Sequence, residues 1–274
     1  MRRVDGTTQI YAVLGSPVHH TRSPQMQNAA FAAAGINAIY VALEVSAPRL
    51  DQALAGLHAA RVMGLNLTTP HKEAAFSMVC ERTKEAETAR VVNALRWASN
   101  GWQGHATDGI GFLAWVRELG LNLLDKRVLM VGAGGAARAI ASLITCKSLH
   151  IVSRNPAHAR SLADREPWLP VVWSALDDLP GDHGGWEVMV RALSVEPISE
   201  EEERWWAGHE KNAIMLDLNY GERAADSRAL AHERGIRYED GTELLIQQGA
   251  ASFEFWTGKK PSLQAMREAL REAG

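Results

Sequence analysis

The stretch Val128-Leu-Met-Val-Gly-Ala-Gly-Gly-Ala-Ala-Arg138 limits the fold more than any other part of the chain. A short apolar run enters a glycine-rich turn and continues as Ala137-Arg-Ala-Ile-Ala-Ser-Leu-Ile144, which reads as strand, tight turn, helix. Gly132, Gly134 and Ala137 fit the spacing G-x-G-x-x-G/A, in which small residues let the chain turn, approach a pyrophosphate and pack helix on strand. A helix that starts there offers its free N–H groups to phosphate. Gly132, Ala133, Gly134, Gly135, Ala136 and Ala137 are therefore expected to bind a dinucleotide.

A chain of 274 residues has room for two domains of ordinary size. Its hydrophobic share of 46% and charged share of 22% are those of a globular protein. The formal net charge of −3 shows no basic excess, which argues against nucleic acid or an anionic membrane as partner. No apolar run reaches the length of a membrane span or of a signal-peptide core, so a cytoplasmic protein is expected. Cys80 and Cys146 lack metal or redox spacing and read as reduced structural thiols, and the histidines show no ligand spacing, so no metal is expected. The tryptophans read as core or cleft-wall residues.

Before the glycine turn, apolar runs alternate with helical stretches. Gln9 to Leu14 reads as a strand broken by Gly15-Ser-Pro17; Ser23 is a candidate N-cap, with Pro24 opening a helix that Gly35 ends. Ala38 to Val45, Pro48 to Ala60 and Met63 to Thr68 read as strand, helix, strand, and another helix is expected after Pro70. This alternation predicts an α/β domain with a mostly parallel sheet, whose ligands sit beyond the carboxyl ends of the strands. Loops 15–23 and 66–72 should then face one crevice. Thr21 and Ser23 offer hydroxyls suited to a carboxylate, while Asn66 and Thr68 suit ring hydroxyls. Taken alone, the same residues could be caps and strand ends, and Lys72 a solvated charge. Thr83 to Val92 reads as a helix, and Asn100-Gly101 turns a hairpin that delivers Asp108 to the domain edge. A helix from 109 to 119 would link the two domains.

Gly15-Ser-Pro-Val-His-His-Thr-Arg-Ser-Pro24, Asn66-Leu-Thr-Thr-Pro-His-Lys72, Val92-Asn93 and Thr107-Asp108-Gly109-Ile-Gly111 together resemble the shikimate dehydrogenase family, and in its order. The resemblance runs from about residue 10 to about 261. It implies that Lys72 is the catalytic lysine and Asp108 its carboxylate partner. The chemistry requires such a group, because hydride transfer at a carbinol carbon obliges its oxygen to lose or gain a proton. A carboxylate beside a lysine favours the ammonium, so Asp108 reads as an orienting, charge-balancing group. Its other reading is a helix N-cap, and both can hold.

In the second domain, Ser148 to Asn155 forms a strand and its end. An NAD site usually places an acid there to bond the ribose; Ser153, Arg154 and Asn155 offer none, and arginine presents a planar fork to phosphate, so NADP is the expected cofactor. The competing reading of Arg154 is a surface arginine. Val171 to Trp173, Glu187 to Val190 and Ala213 to Leu218 read as further strands. Ser199 followed by Glu202 fits a capping box, with the acidic run 200–203 serving the helix dipole. Pro180, Gly181, Gly184 and Gly185 mark a loop. Asp240 to Pro261 is similar to the family's C-terminal signature, a helix that returns to the first domain. By that resemblance Gln248, Asn93 and Tyr220 join Thr21, Ser23, Asn66 and Thr68 at the substrate, and Leu218 and Gly241 contact the cofactor.

The expected architecture is therefore an α/β substrate-binding and catalytic domain over 1–107, completed by helices in 245–274, and a Rossmann-like NADP domain over 108–244. The expected activity is reversible reduction of 3-dehydroshikimate to shikimate by a monomer or homodimer. The rivals are a broader quinate/shikimate enzyme and a catalytically weak sensor. Three departures bear on them: Ala94 and Ala106 replace polar family residues, and Arg191-Ala192-Leu193-Ser194 stands where the family usually reads Asn-Ala-Thr-Ser.

Overall fold

Proline and glycine cut the first hundred residues into short apolar runs, and each run becomes a strand or helix. A computed structural model describes residues 4–164, 171–178, 185–194 and 197–272. The chain divides into two units, residues 1–112 with 245–274 and residues 113–244, so the division falls inside two helices.

The first unit opens with β1 (Gln9–Gly15), α1 (Ser23–Ala33), β2 (Ala38–Glu44), α2 (Leu50–Ala59) and β3 (Gly64–Leu67). It continues with β4 (Glu81–Arg82), α3 (Lys84–Ala89), β5 (Ala94–Ala98), β6 (Gly101–His105) and the start of α4 (Asp108–Glu118). The strand order is β2-β1-β3-β5-β6-β4, parallel across β2, β1 and β3 and antiparallel from β3 through β5 to β6. The Asn100-Gly101 turn works because Gly101 adopts φ +135°, which a side chain would strain. Two expectations need correction. Ser23 is the first helical residue of α1 rather than its cap, and the Thr21 hydroxyl accepts the Ser23 N–H instead. After Pro70 the chain forms only a 3-10 turn, Ala74–Met78, because Val79 is already extended and leads into β4.

The second unit contains β7 (Arg127–Val131), α5 (Gly135–Ala141), β8 (Ser148–Ser153), α6 (Pro156–Ala163), β9 (Val171–Ala175) and β10 (Trp186–Arg191). α7 (Glu200–Trp206), β11 (His209–Asp217), α8 (Ala225–Glu233) and β12 (Arg237–Glu239) complete it. All its strands are parallel, in the order β12-β11-β10-β7-β8-β9. That is the doubly wound order 3-2-1-4-5-6, whose crevice opens between the first and fourth strands, here β7 and β10. Trp186, Trp205 and Trp206 pack with Leu129, Val152, Met189 and Met215 in its core. α8 and β12 escape the sequence reading; Pro180, Gly181 and Gly184 lie outside the described residues.

The last two helices, α9 (Thr242–Thr257) and α10 (Leu263–Glu272), complete the first unit. From α9, Phe253 packs on Phe31 at 5.1 Å and Trp256 on Tyr11 at 5.3 Å between ring centres. Gly64 makes this possible, since a Cβ there would lie 2.7 Å from the Trp256 indole. α10 turns Met266 and Leu270 inward and packs on α1, and Arg22 donates to the Leu270 carbonyl. Among the described residues no helix is long and apolar enough to cross a membrane.

Candidate active site

Parallel strands β1 and β3 end at the same edge, and the antiparallel β5–β6 hairpin begins and finishes there. Topology alone therefore gathers loop 15–23, loop 66–72, Asn93 and Asp108 on one rim. Ser16 N–H donates to the Thr69 carbonyl at 3.1 Å and Leu67 N–H to the Asn93 carbonyl at 2.9 Å, which ties the loops together. Thr21 and Ser23 pair through their hydroxyls at 3.1 Å. Thr68 anchors the second loop through its backbone, donating to Leu14 and accepting from His71.

Lys72 Nζ donates to Asp108 Oδ2 at 2.7 Å, with the lysine side chain 16% exposed. The other carboxylate oxygen, Oδ1, accepts from Asn93 Nδ2 at 2.8 Å. Asp108 is thus held on both sides, and its ammonium partner reaches solvent. His71 is buried and accounts for part of this placement, because its Nε2 meets the Val45 carbonyl at 2.8 Å while the Lys72 carbonyl accepts from Val92 N–H. Burial pushes the His71 imidazole below its ordinary 6.5, against the hydrogen bond to Val45. Its Nδ1 has no hydrogen-bond partner, so the ring is neutral with its proton on Nε2.

Behind the pair runs a buried polar network that the sequence only half reveals. Asn93 Nδ2 also donates to Thr107 Oγ1 at 2.9 Å, and Asn93 Oδ1 accepts the Thr107 N–H at 2.6 Å. Ser252 of α9 lies 3.1 Å from the Thr107 hydroxyl, accepts from Asn66 Nδ2 at 2.9 Å and donates to the Gln248 carbonyl at 3.0 Å. Asn66 further donates to the Asn93 carbonyl at 3.0 Å and accepts from the Tyr40 hydroxyl at 2.8 Å. Both Asn66 amide hydrogens are therefore engaged within the protein. Gln248 Oε1 sits 3.5 Å from Asn93 Nδ2, and its own amide donates to the Leu245 carbonyl. Tyr40, Thr107 and Ser252 are the members missed from sequence. Ser252 carries a signal all the same, lying one helical turn beyond Gln248 on the same face.

Ala94 and Ala106 are both buried, Ala94 next to Asn93 at the start of β5 and Ala106 between β6 and Thr107.

In the second unit the glycine turn sits at the β7/β10 switch point. Gly132 has φ +112°, and a Cβ on it would lie 2.7 Å from the Ala192 carbonyl oxygen. Gly134 precedes α5, carries no capping side chain and faces open space, so the backbone donors of Gly135, Ala136 and Ala137 line an open approach for phosphate. Ala133 and Ala137 are buried and pack the turn down. At the end of β8, Ser153 accepts the Asn155 N–H and Asn155 caps α6 by accepting from Ala157, while Arg154 is exposed. Two of the three thus build the turn that presents the arginine. Gly241 N–H donates to the Asn219 carbonyl at 2.8 Å, and a Cβ on Gly241 would collide with the Leu218 carbonyl, so Leu218 and Gly241 share one tight corner. Tyr220, half-buried, follows that corner. A turn of backbone donors, an arginine and no acid after β8 form a donor set that fits NADP.

Residues 13–95 match the model of the shikimate dehydrogenase substrate binding domain, and residues 241–271 that of the shikimate 5'-dehydrogenase C-terminal domain. A shikimate dehydrogenase (NADP(+)) of Anaeromyxobacter sp. (strain K) is 36% identical over 273 residues, covering 97% of each chain. The chain belongs to the shikimate dehydrogenase family. The shikimate dehydrogenase of Aquifex aeolicus superposes with a TM-score of 0.86 at 29% identity, over 98% of this chain and all of that one. The Thermus thermophilus shikimate 5-dehydrogenase, solved in complex with NADP(H) and shikimate, gives 0.81 at 29% identity, over 97% of this chain and all of that one.

Proposed function

We propose that this member of the family catalyses the NADP-dependent, reversible reduction of 3-dehydroshikimate to shikimate, with Lys72 as general acid/base. The single observation that carries the assignment of roles is the 2.7 Å Lys72–Asp108 pair, held by Asn93 on the rim where the substrate loops meet. When held by the glycine turn and Arg154, NADPH would supply the hydride that the carbonyl carbon takes up. The oxygen must then gain one proton, and the Lys72 ammonium, with three N–H donors of which Asp108 takes one, can give it. Solvent returns the proton to the amine. In the oxidative direction the neutral amine accepts the hydroxyl proton as hydride leaves.

Asp108 keeps the lysine aimed and balances its charge; Asn93 fixes Asp108. Thr21 and Ser23 face the substrate carboxylate, with Ser23 as the donor because the Thr21 proton goes to Ser23 Oγ, while Asn66, Thr68, Tyr220 and Gln248 complete the set for its ring hydroxyls. The turn of Gly132, Ala133, Gly134, Gly135, Ala136 and Ala137 would hold the pyrophosphate, Ser153, Arg154 and Asn155 the adenosine phosphate end, and Leu218 and Gly241 the nicotinamide end. Both cysteines are free thiols, in keeping with a cytoplasmic enzyme working as monomer or homodimer.

Initial rates for shikimate and quinate, each with NADP and NAD, test the reading. Turnover confined to shikimate with NADP supports it. Equal rates with quinate or NAD point to the broader dehydrogenase, and tight binding without turnover to the sensor. Lys72→Ala should lower kcat by roughly two to four orders of magnitude while NADP still binds. Undiminished turnover in that variant removes the lysine from the chemistry.

A further inference from the structure

Arg191 ends β10, the strand that borders the switch-point crevice, and its side chain turns into the protein instead of toward solvent. It is 1% exposed. Nε and Nη2 donate to Glu202 Oε1 and Oε2 at 2.6 and 3.2 Å, and Nη1 lies 3.7 Å from Asp217 Oδ2. The sequence places Glu202 in an acidic run that only serves the helix dipole. The structure corrects this: the Ser199 hydroxyl does cap α7, but the Glu202 carboxylate faces inward, 2% exposed.

A buried charge is costly unless paired and hydrogen-bonded. Here each is. Trp206 Nε1 donates to Glu202 Oε1 at 3.3 Å. Asp217 Oδ1 accepts from Asn219 N and Nδ2 at 3.0 and 2.9 Å, and Oδ2 accepts from the Tyr238 hydroxyl at 3.1 Å. Although burial works against the guanidinium, Glu202 and Asp217 together hold its proton more firmly than in water.

The location of the network gives it more than a packing role. The Arg191 carbonyl accepts Leu218 N–H, and Ala192 N–H donates to the Val131 carbonyl just before the glycine turn. Asn219 Nδ2 bridges from Asp217 to the Leu193 carbonyl at 3.0 Å, and the Asn219 carbonyl receives Gly241 N–H. One set of side chains therefore fixes the backbone that leaves β10, β11 and β12, at the edge where an open parallel sheet receives its ligand. Ladder bonds already join the strands themselves. What the network adds is a fixed course for 192–194 and 218–220 after the ladders end.

We infer that Arg191, with Glu202, is a positioning residue for the cofactor: the buried ion pair sets the two turns that rim the nicotinamide end of the site. The inference rests on the NADP reading above. It goes further by assigning a role to Arg191, which opens one of the three segments where this chain departs from the family pattern.

The test uses the full-length protein and NADP+ alone, titrated by tryptophan fluorescence or calorimetry, beside KM and kcat for both substrates. R191L/E202L removes the pair's two charges together; Asp217 then keeps its bonds from Asn219 and Tyr238 but loses the guanidinium, so R191L/E202L/D217N is measured beside it. With folding verified by thermal melting, its NADP Kd and KM should rise roughly tenfold, within the range of coupling through such networks, while the shikimate KM, which the network reaches only through Tyr220, rises less. R191K keeps the charge without the fork and should recover part of that loss. A folded R191L/E202L with wild-type NADP affinity overturns the inference and leaves the proposed activity standing. A wild-type protein that binds no NADP overturns both. If the double variant does not fold, R191K and E202Q decide: NADP binding weakened more than the shikimate KM supports positioning, and wild-type values in both refute it.

Discussion

Ser252 shows how a residue with no chemistry of its own can govern a catalytic pair. Its hydroxyl has one proton, which goes to the Gln248 carbonyl, and it accepts from Asn66; the Thr107 hydroxyl, 3.1 Å from it, also has an acceptor in Asn93 Oδ1 at 3.2 Å. Thr107 can in turn accept from Asn93, which holds Asp108, which holds Lys72. Ser252→Ala should cost about 1–3 kcal/mol, because it leaves a buried donor on Asn66 unmatched. Urea titration checks the stability. The shikimate KM should rise in the same variant with NADP binding unchanged. A neutral effect on both would mean that ordered water replaces the hydroxyl.

α9 carries this logic at the scale of an element. Its face presents Gln248, Ser252 and Trp256 at successive turns, and it packs so closely on the start of α4 that a Cβ at Gly111 would lie 2.5 Å from the backbone nitrogen of Gln248. Backbone cannot step aside as a long side chain can. Gly111→Ala should therefore push the two helices apart, costing about 1–3 kcal/mol as overpacking and displacing Gln248 from Asn93. Thermal melting and the shikimate KM report the two effects. Gly249→Ala is the comparison, since its new methyl meets the flexible end of Met26 and should be milder. Equal losses in both would contradict the packing argument.

At the scale of the whole molecule, buried His71 and half-buried His105 couple stability to pH. His105 joins His71 in being pushed below 6.5 by burial, with Arg96 adding to the shift and Glu85 opposing it. In the unfolded chain both regain their ordinary affinity for protons. The unfolded state then binds more protons than the folded state below about 6.5, so stability should be full above that value and fall as pH descends toward the lowered folded values. Urea midpoints between about pH 8 and 5.5 should decline in that window, and His71→Phe should flatten part of the slope. A level profile would mean that these rings charge without leaving their places.

The sequence by itself determined what local physics can dictate. A run of small residues after an apolar strand makes a tight strand-to-helix turn, and Asn-Gly makes a hairpin. Motif order alone singles out Lys72, Asn93, Asp108 and Gln248, with no geometry needed. Tertiary structure alone decided how these groups meet. That Ser252 underlies Asn66 and Thr107, or that Tyr40 caps Asn66, depends on contacts between residues far apart in the chain, which no local pattern encodes. The same cause explains the misread acidic run: Ser199 and Glu202 have capping-box spacing, yet a buried Arg191 on a neighbouring strand drew the carboxylate inward, and only the packed sheet reveals that partner.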